Sequence, residues 1–212
     1  MNLAELNLTT AVDLFLLLLI GIGPKIALVP FLDATSSLDQ ATKGRVIRKM
    51  LTSAFTTALV LMIFGGVLAR LLHFSTGALA ISSGLILVAL SIPMVIGNSH
   101  NQAETAGKDP LSLAVSPLGI PYLLNPVGIV LLITISAESP TLGAFALVLA
   151  VLILVLVIDT LVFRWANRVS GHLDESRMIV IEKVFGFLLA ALAVQLALHG
   201  LVTLGLIHLT TH

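Results

Sequence analysis

Two charged side chains stand in stretches that are otherwise apolar. Lys25 closes GIGPK (Gly21 to Lys25), and Asp159 lies within VLVIDTLVF. A cation in hydrocarbon costs about 2.5 to 3.5 kcal/mol on insertion scales unless it is paired or hydrated. Lys25 is therefore expected to face protein, either binding a carboxylate or another small anion, or forming a structural ion pair. Asp159 lies about one turn from the end of its run, where Arg164 or Arg168 would neutralise it. The alternatives for Asp159 are a proton-coupling carboxylate, a partner for Lys25, or a partner for a substrate ammonium. Gln195 and the pair Ser82-Ser83 are polar groups on apolar runs, explained equally by interhelical hydrogen bonds and by substrate contact.

Prolines and glycines flank the first charge and recur elsewhere. GIGPK is followed by Pro30, and a later stretch reads PLGIPYLLNPVG (Pro117 to Gly128). Proline deletes a backbone donor and clashes with the preceding turn, while glycine adopts dihedrals other residues avoid. Both stretches are expected to kink or unwind. Asn125-Pro126 reads as an N-cap followed by proline at the first helical position, and Gly23-Pro24 reads the same way more weakly. Two helix N-termini converging there would present free N–H groups and positive dipole ends to a carboxylate. The candidate binding residues are accordingly Gly23, Pro24, Lys25, Asn125, Pro126 and Gly128, against the alternative of simple packing kinks.

The elements that hold these residues follow from composition. Of 212 residues, 58% are hydrophobic and 10% charged, with a mean hydropathy of +1.10. Soluble domains carry about a quarter charged residues, so a soluble globule is excluded. A spanning helix needs roughly 20 apolar residues. Six runs qualify, near Val12 to Phe31, Met50 to Leu72, Thr76 to Ile96, Leu113 to Ile135, Leu142 to Phe163 and Val184 to Ile207. Long, continuously apolar runs exclude the short alternating strands of an outer-membrane barrel. The N-terminal MNLAELNLTT has no Lys or Arg, so the first run is expected to be retained as a span.

An internal repeat accompanies the spans. Pro24 and Pro126 stand 102 positions apart, as do Gly84 and Gly186, and GLILVAL (Gly84 to Leu90) lies over GFLLAAL (Gly186 to Leu192). The second and fifth runs do not follow this offset. Halves of three spans each are inverted relative to one another, so the expectation is an all-α membrane protein with six helices in two inverted repeats. Repeat 1 covers about residues 1–100 and repeat 2 about 110–212 of one integral membrane domain, with the first and fourth helices broken. Gly84 and Gly186 are read as close-packing positions.

Charge placement orients this scheme. Nine of the eleven Lys and Arg residues fall on one side: Lys43, Arg45, Arg48 and Lys49 in the first connection, Lys108 in the third, and Arg164, Arg168, Arg177 and Lys183 in the fifth. The other side has only Arg70, and Lys25 is within a span. The positive-inside rule then puts both termini outside the cytoplasm.

Chemistry of other kinds has little support. With no cysteine, thiol and disulfide chemistry are excluded. The histidines His100, His172, His208 and His212 are loop or terminal residues and the others are isolated, so no metal site is expected. No Ser-His-Asp set, phosphate loop or dinucleotide fingerprint is present, and short connections leave no room for a nucleotide-binding domain. The chain is not expected to be an enzyme, to hold a cofactor or to bind nucleic acid.

GPKIALVPFLDAT (Gly23 to Thr35), SPLGIPYLLNPVGIVLLI (Ser116 to Ile133) and GFLLAALAVQLALHG (Gly186 to Gly200) together resemble the MarC family of bacterial and archaeal membrane proteins. The sequence differs from the family pattern at Gly23, where Asp or Asn is usual, at the following Lys25, and at Asn125 and Val127. The resemblance implies six spans with inverted halves in the lysine-exporter-like group, and relatives associated with neutral amino acid uptake. On that basis the expected function is inner-membrane secondary transport or export of a small polar metabolite, with neutral amino acids as one class, and with either proton or sodium coupling or facilitated diffusion left open. A passive channel and a structural or regulatory membrane protein are the alternatives. Partners are the lipid bilayer and a small solute, and small-residue faces also permit a homo-oligomer.

Overall fold

The computed structural model describes residues 8–96, 109–137, 141–169 and 175–207. Among them every regular element is a helix: α1 (Leu8–Gly21), α2 (Pro24–Thr35), α3 (Gln40–Leu71), α4 (Thr76–Ile96), α5 (Pro110–Val115), a π-helical segment (Leu118–Leu123), α6 (Pro126–Ala137), α7 (Leu142–Val169) and α8 (Glu175–Thr203). His100, Lys108, His172, His208 and His212 lie outside the described residues.

The helix starts follow from side chains that accept orphan N–H groups. The Asp39 carboxylate accepts from the N–H groups of Ala41 and Thr42, both at 3.1 Å, and so begins α3. Thr42, through its side chain and then its backbone, holds the Asp39 carboxyl below its ordinary range. Ser75 caps α4 through Ala78 N–H at 3.1 Å, and Thr141 caps α7 through Ala144 N–H at 3.2 Å. Pro24 and Pro126 each take the first helical position, where a missing N–H costs nothing.

Three of the apolar runs differ from a hydropathy reading in extent, the sixth beginning at Glu175 and not near Val184. The second helix begins at Gln40 and not near Met50, and the fifth continues past Phe163 to Val169. Lys43, Arg45, Arg48, Lys49, Arg164 and Arg168 are therefore helical residues and do not belong to connecting loops, and Arg177 and Lys183 fall within α8. The correction has a simple cause: Gln, Ala, Lys and Arg are good helix formers that a hydropathy window scores as loop. With the polar extension included, α3 and α7 start at Gln40 and Leu142, 102 positions apart, although their apolar parts do not align.

Among the described residues four helices are long and apolar enough to cross a membrane: Gln40–Leu71, Thr76–Ile96, Leu142–Arg168 and Lys183–Thr203. Their outer faces carry large exposed apolar side chains, including Phe64 and Val67 on α3, Leu161 on α7 and Phe187 on α8, as suits lipid solvent.

Two hydrophobic clusters organise the packing. The larger draws on α1, α2, α3, α5, the π segment, α6 and α7, around Leu14, Phe31, Met50, Leu123, Leu132 and Phe163. The smaller joins α4 to α8 through Leu87, Met94, Leu189 and Ala193. These two helices run antiparallel, since Gly77 meets Gly200 at one end and Gly186 meets Met94 and Val95 at the other. Lipid supplies no hydrophobic drive between helices, so small residues that let backbones approach matter most. A Cβ on Gly84 would lie 2.7 Å from the Ala193 carbonyl oxygen and 3.2 Å from the Ala197 Cβ. One on Gly186 would lie 2.8 Å from Val95 Cγ2. Lys183 completes the pair by donating to the Val95 carbonyl at 3.2 Å near the end of α4.

Candidate functional site at the paired helix interruptions

Helix α1 stops at Gly21 and α2 starts at Pro24, and between them Ile22 and Gly23 are extended. In the second half of the chain the corresponding stretch is more irregular. α5 gives way at Ser116 to a turn and the π segment, with cis bonds at Ser116-Pro117 and Ile120-Pro121, before α6 starts at Pro126.

The two interruptions meet. Ile22 and Leu124 form an antiparallel bridge, with Gly23 N–H donating to Leu123 O at 3.3 Å and Asn125 N–H donating to Gly21 O at 3.0 Å. Exchanging each residue with the one 102 positions away turns the first hydrogen bond into the second. Backbone groups freed by the interruptions are thus satisfied by one another, which buried backbone in a membrane requires. The approach is close enough to exclude side chains: a Cβ on Gly21 would overlap Gly128 Cα, and one on Gly128 would overlap the Gly21 carbonyl oxygen.

Asn125 is fully buried and its amide is engaged at both ends. Its Oδ1 accepts from Val127 N–H at 2.9 Å and Gly128 N–H at 3.2 Å, and its Nδ2 donates to Ile20 O at 2.8 Å. The N-terminus of α6 is closed from within the chain. That of α2 is different, because Gly23 at its N-cap offers no side-chain acceptor. Lys25, in the first turn of α2, is half-buried and forms no ion pair among the described residues.

The surroundings tie this point to both clusters. Ser83 of α4 donates to Pro126 O at 3.3 Å. Ile26 belongs to the smaller cluster, and Tyr122 and Val127 pack against it, so the interruptions lie on the seam between the α4–α8 pair and the rest. Val127 is the residue 102 positions from Lys25. A hydrophobic side chain thus stands in one half where the other has a cation.

The remaining sequence candidates fall elsewhere. Asp159 lies on the buried stripe of α7, is 0% exposed, and neither carboxylate oxygen has a hydrogen-bond partner. It pairs with neither Lys25 nor Arg164 nor Arg168. One turn further, Phe163 stacks edge-on against Phe31 of α2, ring centroids 5.2 Å apart, so α7 packs against α2 at this level. Gln195 is exposed on α8. Gly84 and Gly186 sit in the α4–α8 interface. Among the described residues no three His, Cys, Asp or Glu side chains converge to hold a metal ion.

Sequence reasoning missed Gly21, although its GIG setting was a signal for close backbone approach. It also missed the exchange between Ile22 and Leu124, for which apolar side chains give no signal.

The profile of the MarC family integral membrane proteins matches residues 8–204 of the chain. The chain belongs to the MarC family. Among relatives of this MarC-family chain, the UPF0056 membrane protein YvbG of Bacillus subtilis is 24% identical over 190 residues, covering 86% of the chain and 90% of the relative. A UPF0056 membrane protein of Methanocaldococcus jannaschii is 26% identical over 184 residues, covering 85% and 90%. One from Pyrococcus abyssi is 23% identical over 186 residues, covering 86% and 90%. No solved structure matches the chain. Family membership and the four long apolar helices together make it a multi-pass integral membrane protein.

Proposed function

We propose that this MarC-family protein is a non-enzymatic inner-membrane secondary transporter or exporter of a small polar metabolite bearing a carboxylate, with neutral amino acids the first class to test. Six crossings in two inverted halves form its frame. At 14 and 12 residues, α1 and α2 are roughly 21 and 18 Å long and each falls short of a hydrocarbon core of about 30 Å, so they cross as one interrupted unit. Residues 110–137 do the same. The segment limits support this: 8–21 and 24–35, moved by 102 positions, become 110–123 and 126–137. Both termini face outward and the basic helix ends face the cytoplasm.

The observation that carries the reading is the asymmetry at the exchanged backbone bridge. The α6 N-terminus is filled by Asn125, while the α2 N-terminus has no side-chain cap and carries Lys25, which has no ion pair among the described residues. A solute carboxylate would complete the α2 end, gaining N–H donors, the helix dipole and the ammonium together. Interrupted segments at matching positions of two halves are the recurring build of carrier sites, and rocking about them exposes the site alternately. Asp159, buried without a partner, is the coupling group of this scheme, with protons or sodium as the coupling ion.

Purified protein in liposomes, given labelled neutral amino acids with and without a proton or sodium gradient, tests this. Saturable uptake that shows counterflow is expected. Linear, non-saturating flux would instead mean a channel, and absence of flux for every solute would remove the transport reading.

A further inference from the structure

Three arginines from two helices distant in sequence converge on one cleft. Between the polar ends of α3 and α7 lies a cleft of about 510 Å³ whose walls include Arg48 of α3 and Arg164 and Arg168 of α7. Among the described residues no acidic side chain lines it. At one end Asn167 Nδ2 donates to Gln40 Oε1 at 2.7 Å and braces the two helices. At the other, Thr52, Leu51 and Thr160 line it where α3 becomes apolar.

Setting the orientation of a membrane protein needs only positive charge near one surface, and does not require guanidinium groups from two helices to share a cavity. Arg45 shows the difference. It belongs to the same basic stretch, yet it donates to Thr42 Oγ1 at 2.8 Å on its own helix and does not line the cleft. Guanidinium groups are suited to phosphate because their planar forks give paired charge-assisted hydrogen bonds. On the same stretch of α7, Leu161 and Trp165 are 63% and 65% exposed, which supplies an apolar surface for acyl chains and an indole at headgroup depth. Phosphate-binding groups and lipid-facing groups are therefore adjacent on one helix end.

We infer that the Arg48–Arg164–Arg168 cleft is a binding site for the phosphate of an anionic phospholipid headgroup, the lipid chains lying along α7. The site is separate from the helix interruptions and stands whether or not the protein carries solute. Basic pockets between helices at this depth take such headgroups in general.

Native mass spectrometry of the full chain, released from nanodiscs of phosphatidylcholine with phosphatidylglycerol, reads the bound lipid directly. Phosphatidylglycerol should be retained in preference to phosphatidylcholine. A variant carrying Arg48→Gln and Arg164→Gln should lose that preference by about tenfold or more. A variant carrying Arg45→Gln and Lys49→Gln loses the same number of positive charges, both from α3, but leaves the residues lining the cleft intact, and should retain the lipid as the parent does. Equal loss in both variants would mean diffuse surface charge and overturn the site. Equal retention in both would overturn it too. In detergent, stabilisation by inorganic phosphate without any headgroup preference in nanodiscs would make it a free-anion site and reject the lipid. Matching melting temperatures in phosphatidylcholine alone establish that each variant is folded; should the glutamine cleft variant not fold, Arg48→Lys with Arg164→Lys, which keeps charge but not the paired geometry, replaces it and should also lose the preference.

Discussion

Ile22 and Leu124 face one another as an antiparallel backbone bridge although 102 residues separate them. Gly23 N–H to Leu123 O and Asn125 N–H to Gly21 O are interchanged by that same separation. So are the contacts of Gly84 with Ala197 and of Gly186 with Val95. Local symmetry therefore holds both at the interruptions and in the α4–α8 pair, and it fails in the side chains at Lys25 and Val127.

Removing the amide of Asn125 should destabilise the fold without touching any helix-forming residue. Asn125→Ala strips the cap from α6 and leaves Ile20 O without its buried donor, a loss of about 2 kcal/mol. Thermal unfolding in detergent measures it. Asn125→Asp retains the cap acceptor but not the donor and should fall between the two; an alanine variant as stable as the parent would show that the cap contributes nothing.

Glycine substitutions should separate close approach from helix propensity. Gly21→Ala and Gly128→Ala force the bridge apart and should each cost about 1 to 3 kcal/mol. Gly44→Ala, in the interior of α3 with nothing within 4 Å of the added carbon, should instead gain up to about 1 kcal/mol. Opposite signs in the same unfolding assay are the expected result.

Lys25→Met should abolish solute uptake while leaving yield and melting temperature near those of the parent, because Lys25 has no ion pair among the described residues to lose. Lys25→Arg should keep part of the uptake. Undiminished counterflow in the methionine variant would remove Lys25 from the solute site.

Asp159→Asn replaces a buried carboxyl that has no hydrogen-bond partner with a neutral group of similar shape. Stability should be unchanged or higher, since no partner is orphaned. Counterflow without a gradient should persist, while stimulation by an imposed ion gradient disappears. Retained stimulation would mean that coupling lies elsewhere.

At the start of α3 the pH response has a defined sign. Asp39 is held below its ordinary carboxyl value of 3.8, first by Thr42. Its stabilising cap is therefore fully present above that value and is lost as pH falls through the lower folded-state value. Melting curves taken downward from pH 5 should show a loss in the parent that is weaker in Asp39→Asn, which caps without a titrating group. Parallel curves would exclude the cap as the source.

Apolar run length alone marked the chain as a helical membrane protein, because the bilayer sets how many residues must be apolar. Pro24 and Pro126 likewise marked where helices restart, since a missing N–H and a fixed φ act on the chain locally, whatever surrounds them. The polar first turns of α3 were not legible, because hydropathy cannot tell a charged helix end from a loop. Only the tertiary structure decided that Ile22 meets Leu124, that Asn125 closes α6 while Gly23 leaves α2 uncapped, and that Asp159 is turned away from Arg164 and Arg168. Each of these depends on which atoms come within about 3 Å across some hundred residues of chain, or on which side of a helix faces its neighbour. Packing fixes such distances, and residue type and spacing do not.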